Sequence, residues 1–153
     1  MAKSFEIEKK YLVKELPRDY EKYPCRHMAQ GYLNTDPVVR IRKSDDEYYL
    51  TYKGKGLMVR EEYNLPLTQQ AFEHMLPKID GILIEKVRYE IPVEGGYTAE
   101  LDIFKGRLTP LRLVEVEFKD EKDANEFVPP EWFGEDVTFS NKYHNSVLSQ
   151  RKK

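Results

Sequence analysis

The sequence predicts an α+β protein, mainly β, built as a closed or nearly closed antiparallel barrel. Three observations carry this. About eight strand-like stretches are joined by turns, and the helical stretches between them are few and short. Eleven tyrosines and seven phenylalanines stand against nine prolines and eight glycines, which suits strands rather than disorder. Charged residues also recur two apart, on one face of a strand, in pairs of a single sign. A length of 153 residues suits one domain, residues 1–153, with one core.

The first strand is Ser4 to Val13, where Glu6, Glu8 and Lys10 share a face. Leu16 to Tyr23 suits a short helix with Pro17 in its first turn, ended by Pro24. Arg26 to Leu33 reads as a strand, and Asn34-Thr35-Asp36-Pro37 as a turn. Val38 to Lys43 and Glu47 to Lys53 form a hairpin around Ser44-Asp45-Asp46. Gly54-Lys55-Gly56 turns into Leu57 to Leu65, where Arg60, Glu62 and Asn64 share a face. Thr68 caps a helix through Leu76, whose stripe is Ala71, Phe72, Met75 and Leu76. Ile82 to Val93 aligns Lys86, Arg88 and Glu90. Glu94-Gly95-Gly96 then turns into Tyr97 to Phe104, with Glu100 and Asp102 together. Arg112 to Phe118 supplies Glu115 and Glu117. Asp120 caps a helix over Glu121 to Phe127, stopped by Pro129-Pro130. Asp136 to Phe139 reads as extended and Asn141 to Gln150 as a terminal helix, with Arg151 to Lys153 frayed.

With 25 basic and 27 acidic residues the net charge is -2, so bulk charge predicts neither nucleic acid nor an anionic membrane as partner. No signal-peptide pattern, lipidation motif or long apolar run is present. Cys25 stands alone, which rules out an internal disulfide or a Cys-based metal cluster and suits the cytoplasm. His27, His74 and His144 lack metal-ligand spacing, Gly54-Lys55-Gly56 is no P-loop, and no serine sits in a nucleophile elbow. The pattern assigns no oligomeric state.

The pairs Glu6/Glu8, Arg40/Arg42, Lys86/Arg88, Glu100/Asp102 and Glu115/Glu117 alternate with aliphatic residues. Solvated faces ordinarily mix signs, and same-sign pairs repel unless opposite charge faces them. The economical arrangement turns these files inward, basic strands opposite acidic ones with a ligand between, and covers the outer apolar residues with helices. Arg and Lys match phosphate oxygens. Carboxylates without His or Cys favour Mg2+ or Mn2+.

The ordered blocks carry a resemblance. Glu6-Ile7-Glu8-Lys9-Lys10, Gln30-Gly31-Tyr32-Leu33, Arg40-Ile41-Arg42, Leu50-Thr51-Tyr52-Lys53-Gly54, Arg60-Glu61-Glu62-Tyr63, Glu85-Lys86-Val87-Arg88-Tyr89, Glu100-Leu101-Asp102, Val114-Glu115-Val116-Glu117-Phe118 and Asn141 to Ser146 together resemble the CYTH superfamily, the triphosphate tunnel metalloenzymes. The resemblance implies an eight-stranded antiparallel tunnel with a charged interior and helices packed outside. It also implies a small-molecule triphosphate substrate and Mg2+ or Mn2+. By similarity, Glu6, Glu8, Asp102, Glu115 and Glu117 form the metal set. Arg40, Arg42, Lys53, Arg60, Lys86 and Arg88 form the phosphate-binding set, and Lys10, Lys142 and Glu62 the catalytic set. Asn64 departs from the pattern, standing where the family often has a second acid. The same tunnel is associated with inorganic, thiamine and RNA triphosphatases and with class IV adenylate cyclases. A compact chain without added domains favours inorganic tripolyphosphate, cleaved by in-line attack of water. A non-catalytic polyphosphate-binding module is the other reading; it would keep the basic files but could dispense with the acids, and here the acid pairs are present.

Overall fold

The computed structural model describes residues 3–150; Arg151 to Lys153, expected to fray, lie outside them. Nine strands form one antiparallel sheet: β1 (Lys3–Val13), β2 (Cys25–Thr35), β3 (Val38–Ser44), β4 (Glu47–Lys53), β5 (Val59–Pro66), β6 (Asp80–Val93), β7 (Tyr97–Phe104), β8 (Arg112–Glu117) and β9 (Phe133–Asp136). The strand order is β5-β4-β3-β2-β6-β7-β8-β1, and β1 pairs back onto β5, closing an eight-stranded barrel that β9 extends at β1.

β1 makes the closure. Its first half pairs with β5, from Lys3 opposite Tyr63 to Ile7 opposite Val59. Its second half pairs on the other edge with β8, from Glu8 opposite Glu117 to Leu12 opposite Leu113. Beyond the end of β5, the first edge takes up β9 at Tyr11 and Val13.

Alternation sends the outward residues into one apolar cluster. Tyr11, Ile91, Ala99, Leu101, Val114 and Val116 pack there with Phe118, Phe127 and Phe133. Helix α2 (Glu121–Glu126), capped by the Asp120 carboxylate accepting from the Asp123 amide at 2.8 Å, lies over this side. Helix α1 (Gln69–Met75), capped by Thr68 Oγ1 accepting from the Ala71 amide, sets Phe72 against Tyr48.

The charged files point inward, as the alternation predicts. Lys53 of β4 reaches Glu6 of β1 past β5, and Arg88 of β6 reaches Glu115 of β8 past β7. At one end, however, the charged files of β1, β3, β6, β7 and β8 turn apolar. Leu12 follows Lys10, Val38 precedes Arg40, Ile84 precedes Lys86, Phe104 follows Asp102 and Leu113 precedes Glu115. These residues form a second cluster with Tyr32, Ile82, Leu108, Val137 and Leu148. The interior is thus charged along its middle and sealed by hydrophobic side chains at one end.

Other differences are local. The terminal segment forms a 3-10 turn (Asn141–Tyr143) and then α3 (Asn145–Leu148), which caps the apolar barrel end rather than an outer face. The expected Leu16 to Tyr23 helix is only a 3-10 turn at Tyr20–Lys22, because Tyr20 and Tyr23 are drawn onto the outer cluster. β9 ends at Asp136, where the expected extended piece began, and the Asp136 carboxylate caps the turn by accepting from the Thr138 amide at 2.9 Å. Among the described residues no helix is long and apolar enough to cross a membrane.

Candidate active site

The registers divide the tunnel into two walls. β7, β8 and β1 contribute Glu100, Asp102, Glu115, Glu117, Glu6 and Glu8, while β6, β3, β4 and β5 contribute Lys86, Arg88, Arg40, Arg42, Lys53 and Arg60. On the acidic side, like charges stand directly opposite one another across strands, Glu8 with Glu117 and Glu100 with Glu115. Such pairs are destabilising unless positive charge is supplied.

Part of that charge comes from the basic wall. Lys53 Nζ donates to both oxygens of Glu6 at 2.9 and 3.0 Å and lies 3.7 Å from Glu62. Arg88 donates through Nε and Nη2 to the two oxygens of Asp102 at 2.7 and 2.9 Å, and through Nη2 to Glu115 at 2.8 Å. Lys86 Nζ donates to Asp102 at 2.7 Å. Lys10 Nζ donates to the Tyr143 carbonyl at 3.0 Å and stands 3.5 Å from Glu115. Burial alone would raise the Glu115 carboxyl, but Lys10, Arg88, Lys86 and Lys53 together hold it well below the usual carboxylate range. Asp102 is likewise held low, burial being outweighed by Arg88 and Lys86. Its single charge faces two cations, so Lys86 carries the surplus: burial, with Arg88 and Arg42 nearby, pushes it down to about 7.

Glu8, Arg40 and Arg42 are left without a counter-charge in contact among the described residues, as is Arg60, whose Nε donates to the Gly54 carbonyl at 3.4 Å. Glu8 has no ion pair or hydrogen bond to its carboxylate among the described residues, and burial followed by the charges of Glu115 and Glu6 pushes it well above the usual range. Arg40 and Arg42 have no carboxylate within ion-pair distance among those residues. Burial, with Arg40 and Arg88 beside it, pushes Arg42 down to about 9.

Glu8 and Arg40 face one cavity, together with Lys10, Lys53, Arg60 and Glu115. Its free volume is only about 30 Å³, room for a water or two, because side chains reach across it. The structure therefore gathers most of the predicted residues: Glu6, Arg42, Lys86, Arg88 and Asp102 stand in the walls around it, and Glu62 lies against Lys53. Two predicted residues are exposed. Glu117 is exposed and lines the acidic mouth with Glu90 and Glu100. Lys142 is exposed, its ammonium over the Tyr143 ring at 5.3 Å, because the 3-10 turn sends it outward rather than into the cavity. Asp102, read as a metal ligand, has both oxygens engaged by Lys86 and Arg88 and serves as their counter-ion.

Sequence reasoning missed His144 and Asn145, which line the cavity, and Gln30 and Thr51, which hold the two arginines. Burial, with Lys10 and Arg60 nearby, pushes the His144 imidazole down to about 4. Gln30 and Thr51 share the phase of Tyr32 and Lys53, so strand alternation was the signal that could have found them.

The donor set fits a hard divalent cation. Oxygen ligands predominate, and Glu8 is a carboxylate surrounded by carboxylates that lacks a cation of its own. Among the described residues, no three acid, His or Cys groups converge as a ready-made cage; Glu6 and Glu115 are drawn instead to Lys53 and Arg88.

Known proteins are similar to this chain in sequence and fold. An inorganic triphosphatase of Nitrosomonas europaea is 42% identical over 148 residues, covering 94% of this chain and 96% of the relative. One of Acetivibrio thermocellus is 33% identical over 149 residues, covering 94% and 92%. The crystal structure of the inorganic triphosphatase NE1496 superposes with a TM-score of 0.73 at 39% identity, covering 96% of this chain and 95% of that one. The CYTH domain model matches residues 4–151, and with this coverage, strand order and inward charge pattern the chain belongs to the CYTH domain family.

Proposed function

We propose that this chain is a divalent-metal-dependent triphosphatase that hydrolyses inorganic tripolyphosphate to diphosphate and phosphate by in-line attack of water, residues 1–153 acting as one tunnel domain in the cytoplasm. Both curated relatives bear the name inorganic triphosphatase. The observation that carries the reading is the charge left over inside the barrel. Buried Arg40 and half-buried Arg42, both without an acid, and Glu8, a carboxylate without a cation, belong to a single tunnel, and a metal-bound polyanion satisfies both deficits.

Arg40, Arg42, Lys53 and Arg60 bind the phosphate oxygens, with Lys86 and Arg88 behind them, and neutralise charge developing on the leaving diphosphate. Lys10, tied to the Tyr143 carbonyl, binds from the side of the C-terminal cap. Glu62 orients Lys53 opposite Glu6. Asp102 positions Lys86 and Arg88. A Mg2+ or Mn2+ ion would be held by Glu8 with Glu6, Glu115 and Glu117, where it supplies charge neutralisation and polarises phosphoryl oxygen. Because side chains fill the cavity, substrate must displace the Lys53–Glu6 pair to bind.

The test is phosphate release from tripolyphosphate, ATP and thiamine triphosphate with Mg2+ or Mn2+, the ATP reaction also being analysed for cyclic AMP. Release fastest from tripolyphosphate is expected. Inactivity on all three substrates would defeat the enzymatic reading, and cyclic AMP formation would replace it with cyclisation.

A further inference from the structure

His144 enters the cavity from the C-terminal cap rather than from a strand. Its backbone is pinned on both sides. The carbonyl before it, of Tyr143, accepts from Lys10 Nζ at 3.0 Å, and its own carbonyl accepts from the Val147 and Leu148 amides at 2.9 Å each. Leu148 is fully buried in the apolar barrel end, so the cap holds the imidazole where it stands. The half-buried ring lines the inner cavity and also an outer cleft of about 300 Å³ between the turns that follow β2 and β4. It therefore meets both the charged interior and solvent.

The charges that face this ring are mostly positive. In the cavity they are Lys10 of β1, Arg40 of β3, Lys53 of β4 and Arg60 of β5, against Glu8 of β1 and Glu115 of β8. In the cleft they are Lys55 and Arg60 against Asp36. Lys142, on the same segment, turns outward over the Tyr143 ring. Burial and the cations Lys10 and Arg60 push the imidazole down to about 4, and Glu115 offsets them only in part. A polyanion in the cavity reverses this balance, because negative charge favours the protonated form of a base beside it. Histidine suits such a change, since its ordinary value of about 6.5 lies close to neutral pH.

We infer that His144 is a proton-linked ligand of the triphosphate: neutral in the free enzyme, it takes a proton from solvent as the polyanion enters, donates to a phosphate oxygen as a further cation, and returns the proton when product leaves. The complex gains a positive charge that the free enzyme does not have to hold against Lys10 and Arg60. This inference rests on the triphosphate reading of the tunnel.

The chain has three histidines, His27, His74 and His144, whose imidazole NMR signals are assigned by single substitutions to Gln. Their titrations are followed without divalent metal, with and without saturating tripolyphosphate. The His144 signal is expected to titrate near 4 in the free enzyme and about two units higher in the complex, while the exposed His27 and His74 stay in place. Calorimetry gives a second readout, with folding checked by thermal melts. Relative to wild type, His144→Gln is expected to bind tripolyphosphate roughly tenfold more weakly at pH 5 and about equally at pH 8. It should also take up fewer protons on binding at pH 5, read from the dependence of the heat on the buffer; the difference from wild type removes protons exchanged by Lys86 and by tripolyphosphate itself. A merely structural His144 would weaken binding equally at both pH values. A His144 signal that titrates at the same pH with and without bound tripolyphosphate, or a loss in His144→Gln that does not depend on pH, overturns the inference. Should His144→Gln fail to melt cooperatively, the wild-type titration, assigned from His27→Gln and His74→Gln, decides alone. Wild-type protein that binds no tripolyphosphate at either pH overturns the underlying site reading instead.

Discussion

Glu8 shows how a charge inside the barrel works against the fold that carries it. Its carboxyl is raised well above 4.5 by burial and by Glu115 and Glu6, so between the unfolded value and the raised one the folded state binds the extra proton. Stability contributed through Glu8 is therefore lost as pH rises through that window. Glu8→Gln is expected to raise the melting temperature at pH 7.5 without metal, while lowering kcat on tripolyphosphate by about 10²–10³-fold. A variant that melts below wild type would contradict the charge assignment. Asp102 and Glu115 have the opposite sign. They are held below 3.8 and 4.5, so their contribution is present above those values and lost as pH falls through the lower folded ones. Asp102→Asn leaves Lys86 and Arg88 without their shared carboxylate, at a cost of about 3–5 kcal/mol. At roughly 2–4 °C per kcal/mol for a chain of this size, thermal melting should show a fall on the order of 10 °C; a fall of a degree or two would remove Asp102 from that role.

Among the elements, α3 depends on a close approach to β6. The Ile82 amide donates to the Ser149 carbonyl at 2.6 Å. Gly81, at φ +70°, has no Cβ to meet that same carbonyl, which a Cβ would approach to 2.0 Å. Leu148, fully buried, packs among the inward apolar residues of the barrel end. Leu148→Ala is expected to cost about 2–5 kcal/mol and to make the C-terminal segment sensitive to limited proteolysis; unchanged protection would show that the cap is held by other contacts. Alternation made the strands and their inward files legible in the sequence, because a period of two is local. What was not legible depended on partners distant in sequence. The apolar end of each file shows only when Leu12, Val38, Ile84, Phe104 and Leu113 are brought to one level. The exposure of Lys142 depends on a turn whose direction no local pattern states. Asn64 read as an acid too few, whereas the structure joins it through Thr51 to Arg40.

For the whole molecule, closure means that the strands carrying the charged files on one face carry the outer core on the other, so candidate site and stability share a single sheet. Closure also falls to the strand that the chain supplies first. β1 finds β5 about 50 residues later, near the loop-closure scale of ordinary hairpin-rich folds, but its pairing with β8 and β9 waits much longer, and its Lys10 amide bonds to Thr138, 128 residues away. β1 therefore stands with one edge unpaired until β8 is available, a high-contact-order path that is slow and exposed to mispairing. A fragment ending before Arg112 lacks β8 and β9 and should melt without a cooperative transition by circular dichroism; a sharp melt would show that the barrel nucleates elsewhere. β1 is thus secured on both edges only once β8 and β9 have formed, and the protein's vulnerability lies in the interval between.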